Sequence, residues 1–309
     1  MTPTKRDWAF LAALGVIWGA SFMATKVATG DFGPFAIAGG RLALGALAMN
    51  VVLVAMGQRL PGVATGADRR FWLYALGAAA FSNAVPFCLL SWAQARIDSA
   101  LAGVLMATVP FFVLPLGHAF VPGERLGWRK LAGFAIGLMG VVVLIGPEVV
   151  ADLGTGGAVA LLAQAACLGV AFCYACGSVV SKLAPERGLL PFGTAALTLA
   201  ALMTVPFALA LDAPFAGAVS GEALLAVAYL GLVPTALATL MLLVVVKSAG
   251  PSFLSLVNYQ VPLWAVVFGV TVLGERPSPR LAIAFVLIAA GLAVTQGYLG
   301  IRRGGHARG

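Results

Sequence analysis

Two stretches decide how this chain is read: VPFFVLPLGHAFVPGERLGWRK, Val109 to Lys130, and VPLWAVVFGVTVLGERPSPR, Val261 to Arg280. Each is an apolar run that opens on Val-Pro and closes on Gly-Glu-Arg. After a one-residue slip, Glu124, Arg125, Arg129 and Gly140 pair with Glu275, Arg276, Arg280 and Gly291 at one offset of 151 positions. A second match lies upstream. WGASFMATK, Trp18 to Lys26, aligns with YACGSVVSK, Tyr174 to Lys182, with aromatic and lysine equally spaced. Self-similarity at so long a period marks an internal duplication. Residues 1–150 and 151–309 are expected to be two repeats of one integrated domain.

The solvent of that domain follows from composition. Of 309 residues 61% are hydrophobic and 10% charged, and the mean hydropathy is +1.01. No water-soluble chain of this length has the polar surface to cover such a core. Lipid is therefore the expected solvent. Runs of about 20 apolar residues, enough for a hydrocarbon core of about 30 Å, fall near residues 8–28, 33–56, 71–93, 99–121 and 130–147. A second set falls near 157–182, 190–211, 222–246, 251–273 and 280–299. The expected fold class is all-α integral membrane, ten transmembrane helices as two five-helix repeats. The longest aqueous stretch, Gly57 to Arg70, is too short to bury a core of its own.

Charge sets the expected orientation. Fourteen of the nineteen basic residues, Lys5, Arg6 and Arg59 among them, fall on the side of the N-terminus, whereas Arg96, Arg276 and Arg280 fall on the other. Cytoplasmic loops hold the excess of Lys and Arg, which puts both termini in the cytoplasm of an inner (plasma) membrane protein. The net charge of +8 is thus a topology signal, and no nucleic-acid partner is expected. The first apolar segment follows Lys5 and Arg6 as a secretory signal would, but its counterpart at Tyr174 to Lys182 argues that it is retained. Five spans per repeat is an odd number, so the second repeat enters the membrane from the opposite side. Glu124 and Arg125 then face the cytoplasm and Glu275 and Arg276 the outside. Inverted repeats are a signature of alternating-access carriers, with the substrate site near the midplane.

The same residues carry a family resemblance. The WG…K first span, Arg41 in the second and the paired P…GER…G hairpins resemble the drug/metabolite transporter (DMT) superfamily, specifically chains with two EamA-type repeats. The resemblance covers nearly the whole chain. It implies a ten-helix carrier, often an exporter of amino acids or other small metabolites, in a family whose substrates vary widely. The equivalent of Arg41 in the second half falls near Thr198, so any role for that arginine belongs to one half only.

Polar residues at mid-span are the candidates for substrate binding: Trp18, Ser21, Asn83, Gln164, Tyr174, Asn258 and Tyr259. Thr235 and Gln260 lie at similar depth. An amide in lipid must face protein or a wet cavity; the competing reading is interhelical hydrogen bonding at about 0.6 kcal/mol per contact. Pro110 and Pro262 are repeat equivalents that each free the carbonyl four residues earlier, at Met106 and Asn258. At Asn258 a freed carbonyl and a side-chain amide coincide. Arg41 sits two turns inside its span, where a charge costs about 3 kcal/mol unless paired. It holds an outer gate, meets a substrate carboxylate or snorkels to the surface. Arg41, Pro110, Pro262, Glu124 and Glu275 form the gating or structural set, and Lys26 and Lys182 read as span-end anchors.

What is missing narrows the function. All eleven acidic residues fall at span ends or in loops, whereas a proton antiporter of cationic drugs usually needs a buried acid. A neutral or zwitterionic substrate is favoured. Cys88, Cys167, Cys173 and Cys176 lie inside apolar runs and are expected to pack as small hydrophobes. The C-x-x-C of Cys173 and Cys176 has no second pair to complete a metal site, and no phosphate-binding loop points to ATP, so no cofactor or metal is expected. The GxxxG spacings Gly15–Gly19 and Gly133–Gly137 mean close helix contact within a monomer or across a homodimer. Two competing functions are an intramembrane lipid-modifying enzyme and a non-transporting membrane partner subunit. An enzyme would cluster acids, histidines or a metal near one membrane face.

Overall fold

The computed structural model describes residues 3–122, 127–151, 157–212 and 217–296, and among them every regular element is helical. Among the described residues eight helices are long and apolar enough to cross a bilayer: α1 (Lys5–Ala28), α2 (Pro34–Ala55), α3 (Gly66–Gln94), α4 (Ser99–Phe120), α5 (Trp128–Ala151), α6 (Gly157–Leu183), α7 (Leu189–Asp212) and α8 (Gly221–Ala249). Two shorter ones follow, α9 (Val257–Thr271) and α10 (Pro279–Gln296). Many apolar side chains point outward. Val54 and Leu225 are more than 70% exposed and Leu202, Val142 and Val286 more than 60%. Apolar surface on this scale needs lipid against it, which makes this the architecture of a multi-pass membrane protein.

Local sequence sets the helix ends. Thr4 and Thr65 open α1 and α3 with capping boxes, in which the Asp three residues on returns a bond to the cap amide (2.8 and 3.2 Å). That box starts α3 at Gly66, ahead of its apolar run. Gly250, at φ +85°, ends α8, a backbone conformation open to glycine, and lets the chain turn at once into a one-turn helix, Pro251–Leu254. The sequence reads 251–273 as one span; the chain breaks it at Ser255 and Leu256 before α9 begins. α4 breaks likewise at Ala107 and Thr108. Pro110 has no N–H to offer Met106, and the amides of Ala107 and Thr108 bond three residues back, to Val104 and Leu105 (both 3.1 Å). Pro110 thus sits in the first turn of the second α4 segment, Val109–Phe120, instead of at the centre of a kink.

The helix pairings come in matched sets. α5 packs along α10, α2 along α7 and α4 along α9. α3 packs on α6 and α7 as α8 packs on α1 and α2, and α1 meets α9 as α6 meets α4. The largest buried cluster joins α3, α4, α5, α6 and α10 through Leu90, Leu105, Val141, Cys167 and Ile288. A second joins α2, α3 and α7 through Leu42, Met49, Phe87 and Leu197. Both GxxxG spacings serve contacts inside this chain. Gly15 and Gly19 of α1 lie against Gln260 and Trp264 of α9, and Gly133 of α5 lies against Gly291 and Thr295 of α10. Glu124 lies outside the described residues.

Candidate functional site

Midway along α3 and α8 the helix widens to π geometry, over Ala80–Ala84 and Gly231–Leu237. A π turn carries one extra residue and so disturbs the carbonyl ladder, a feature common at functional sites. In both helices a polar side chain answers it from the same place. Asn83 Nδ2 donates to the Ala78 carbonyl (3.3 Å) and Thr235 Oγ1 donates to the Leu230 carbonyl (2.7 Å), each five residues back.

Between these widened turns lies a cavity of about 410 Å³, within the usual range for a small-molecule site. α1 contributes Trp18, Ser21 and Phe22, α3 contributes Ser82, Asn83, Phe87 and Leu90, and the break in α4 contributes Met106, Ala107 and Val109. Across from them stand Tyr174 of α6, Pro234, Thr235, Thr239 and Leu242 of α8, and Asn258, Val261 and Pro262 of α9. Trp18 is held in place by its Nε1–H, which donates to the Pro234 carbonyl (3.2 Å). Ser21 turns its hydroxyl back to the Trp18 carbonyl (2.6 Å). The lining is aromatic and aliphatic with a few amides and hydroxyls, and among the described residues no carboxylate borders it.

One full charge does. Arg41 of α2 is 6% exposed and borders the cavity. Its Nε donates to Thr235 Oγ1 (2.8 Å), whose own proton is committed to Leu230. Its guanidinium lies over the Phe87 ring, 3.7 Å from the centroid, a contact worth about 0.5–2 kcal/mol. The approach depends on Gly45 and Gly231. A Cβ on Gly45 would stand 2.6 Å from the Thr235 methyl, and one on Gly231 would stand 2.9 Å from the Arg41 carbonyl. Snorkelling to the surface is thereby ruled out for Arg41.

One end of the bundle is tied by polar contacts. Lys26 Nζ, at the end of α1, donates to the carbonyls of Gln94 and Ile97 (2.8 and 2.9 Å). Gln94 Nε2 donates to the Phe22 carbonyl (2.9 Å). Glu275, after α9, accepts the amides of Ser99 and Ala100 (2.7 and 3.0 Å) and so caps α4, where a carboxylate complements the helix N-terminus. α9 packs mainly on this first segment of α4, Ser99–Met106.

Of the residues singled out in the sequence, Trp18, Ser21, Asn83, Tyr174, Asn258, Arg41 and Pro262 converge on the cavity. Gln164 is buried in α6 outside its wall, and Tyr259 packs against the main core. Pro110 stands one residue past Val109, off the lining. Phe22, Ser82, Phe87, Pro234, Thr239 and Leu242 were not singled out. The signal for several of them is the repeat itself. Asn83 and Thr235, Phe87 and Thr239, Leu90 and Leu242, and Val109 and Val261 all stand 152 positions apart.

Comparison with known proteins agrees with this architecture. The model of the EamA-like transporter family matches twice, over residues 7–146 and 161–296. A probable amino-acid metabolite efflux pump of Escherichia coli is 29% identical over 180 residues, 58% of this chain and 54% of that protein, so the match spans about half its length. The aromatic amino acid exporter YddG of Ancylobacter novellus is 29% identical over 295 residues, 90% of this chain and 93% of that protein. A solved crystal structure shares the fold at a TM-score of 0.66 and 23% identity, covering 94% of this chain and 96% of that one. The chain belongs to the EamA-like transporter family.

Proposed function

We propose that this protein is a secondary carrier of the inner membrane that exports a small neutral or zwitterionic metabolite, such as an amino acid, by alternating access. In this reading residues 1–150 and 151–309 are inverted five-helix halves, all ten helices cross the bilayer, and both termini are cytoplasmic. The observation that carries it is the cavity, walled by equivalent positions of both halves and free of acids among the described residues. The matched helix pairings and the twofold family match support the inverted repeat. Export is supported by the names of two relatives, an efflux pump and an exporter.

Alternating access needs one end shut while the other is open. The ties of Lys26, Gln94 and Glu275 gather α1, α3, α4 and α9 at the end that charge assigns to the outside. The lower half of α4 packs far less on α9 than its first segment does, which supports a conformation open toward the cytoplasm. Trp18, Ser21, Asn83, Tyr174 and Asn258 would meet the substrate, and Pro262, inside α9, would let that helix bend. Gln164 and Tyr259 would support the helices around the site.

Purified protein in liposomes tests the reading. Counterflow of radiolabelled amino acids should saturate, and Asn258→Ala and Trp18→Ala should each cut it about tenfold while the melting temperature holds. A broad panel of small metabolites giving neither flux nor thermal stabilisation would sink the proposal.

A further inference from the structure

We propose that Arg41 is the carboxylate anchor of the cavity, and that the protein selects its cargo on the carboxylate and not on an amino group. The proposal rests on the carrier reading above and specifies what the carrier holds. Arg41 is buried to 6% exposure, oriented by Thr235 at Nε and by the Phe87 face beneath it. The edge left over is the one formed by its two terminal nitrogens. Among the described residues these make no hydrogen bond or ion pair, and the cavity that Arg41 borders has no acidic side chain.

A guanidinium withdrawn from water needs an anion, and the fork of its terminal nitrogens matches a carboxylate with two parallel bonds. A protein carboxylate in the wall would supply that partner. Among the described residues none does, so the partner we assign is cargo. Thr235 cannot serve instead, because its hydroxyl donates to Leu230 and offers Arg41 a single lone-pair contact. Beyond the anchor the lining turns apolar, with Trp18, Phe22, Leu90 and Val261 around space for one aliphatic or aromatic body.

The amino group of a zwitterion has no comparable counterpart. An ammonium beside the bound carboxylate would find the neutral oxygens of Asn83 and Asn258 and the positive field of Arg41. Removing that ammonium costs little, whereas removing the carboxylate leaves Arg41 bare. Anionic monocarboxylates such as 2-oxo acids therefore belong to the same cargo class as the amino acids they resemble.

The test compares four probes of one body with the full-length protein: phenylalanine, phenylpyruvate, phenylalaninamide and phenethylamine, with the leucine series beside them. Binding is read in detergent by titration calorimetry and transport by counterflow in liposomes. Phenylalanine and phenylpyruvate should bind within about threefold of each other, and the amide and amine at least tenfold more weakly. Arg41→Gln should abolish that preference for acids. Thr235→Val, which keeps the charge and loosens its aim, should weaken both acids by about tenfold, the scale of one hydrogen bond to a charged group, and guards against an Arg41 variant that fails to fold. Equal binding of amine and acid, a requirement for the ammonium, or acid preference surviving in Arg41→Gln overturns the anchor and leaves the carrier reading standing. No binding and no flux of any probe in either series, by protein that melts cooperatively, overturns the carrier reading for this cargo.

Discussion

Helices α5 and α10 are built from the same apolar residues as α3 and α8, yet the first pair leaves no space between its backbones while the second pair walls a cavity. The closeness comes from glycine. A Cβ on Gly291 would stand 2.5 Å from the Gly133 carbonyl oxygen and 2.6 Å from the Gly137 nitrogen. In lipid there is no hydrophobic drive to press helices together, so association relies on such close approach. In α3 and α8 the π turns do the opposite. They carry Asn83 and Thr235, which line the cavity from opposite walls. One pair supplies rigidity and the other supplies room.

The largest expected effect comes from forcing the close pair apart. Gly291→Leu places a branched side chain where the α5 backbone runs, and overpacking of that kind costs about 3 kcal/mol or more. The variant should yield little monodisperse protein in detergent and melt well below the parent, with Gly291→Ala falling between them. Wild-type melting in Gly291→Leu would show that the glycine contact contributes no rigidity.

The open pair should respond in the opposite sense. Val261→Phe fills the cavity from α9 without touching a hydrogen bond of the site. Transport should fall at least about tenfold, the scale of one misfitted group in an apolar pocket, while the melting temperature stays level or rises. Flux unchanged by Val261→Phe would place the substrate path elsewhere.

How much of this contrast is legible in the sequence depends on whether depth or direction is asked for. Depth is legible, because span position alone places Trp18, Asn83, Tyr174 and Asn258 at mid-membrane, and all four border the cavity. Gln164 and Tyr259 pass the same depth test and lie off the wall. A helix that is apolar all round has no polar face to say which way a side chain points. The repeat is legible in the two GER motifs because they stand at one offset in the sequence, and the family model matches each half. The π turns are not, since a single extra residue within an apolar run leaves the hydrophobic pattern unbroken. The stack of Arg41 on Phe87 joins residues of different helices, and no local spacing encodes it.

The smallest effect is the one that separates scaffold from site within the open pair. Asn83 makes a long bond of 3.3 Å to Ala78, and even the side-chain hydrogen bonds between membrane helices average only about 0.6 kcal/mol. Asn83→Ala should therefore move the melting temperature by no more than a degree or two. If the amide also meets substrate, the same energy is lost on binding, and 0.6 kcal/mol corresponds to about a threefold rise in KM. A rise in KM with unchanged melting assigns Asn83 to the cargo; a fall in melting with unchanged KM assigns it to the π turn alone. Because Thr235 occupies the equivalent place in α8 and is tied to Arg41 at 2.8 Å, Thr235→Val should weaken transport more than Asn83→Ala does. Equal effects would mean that the two walls bear on the substrate alike and that the single arginine adds nothing to its own side.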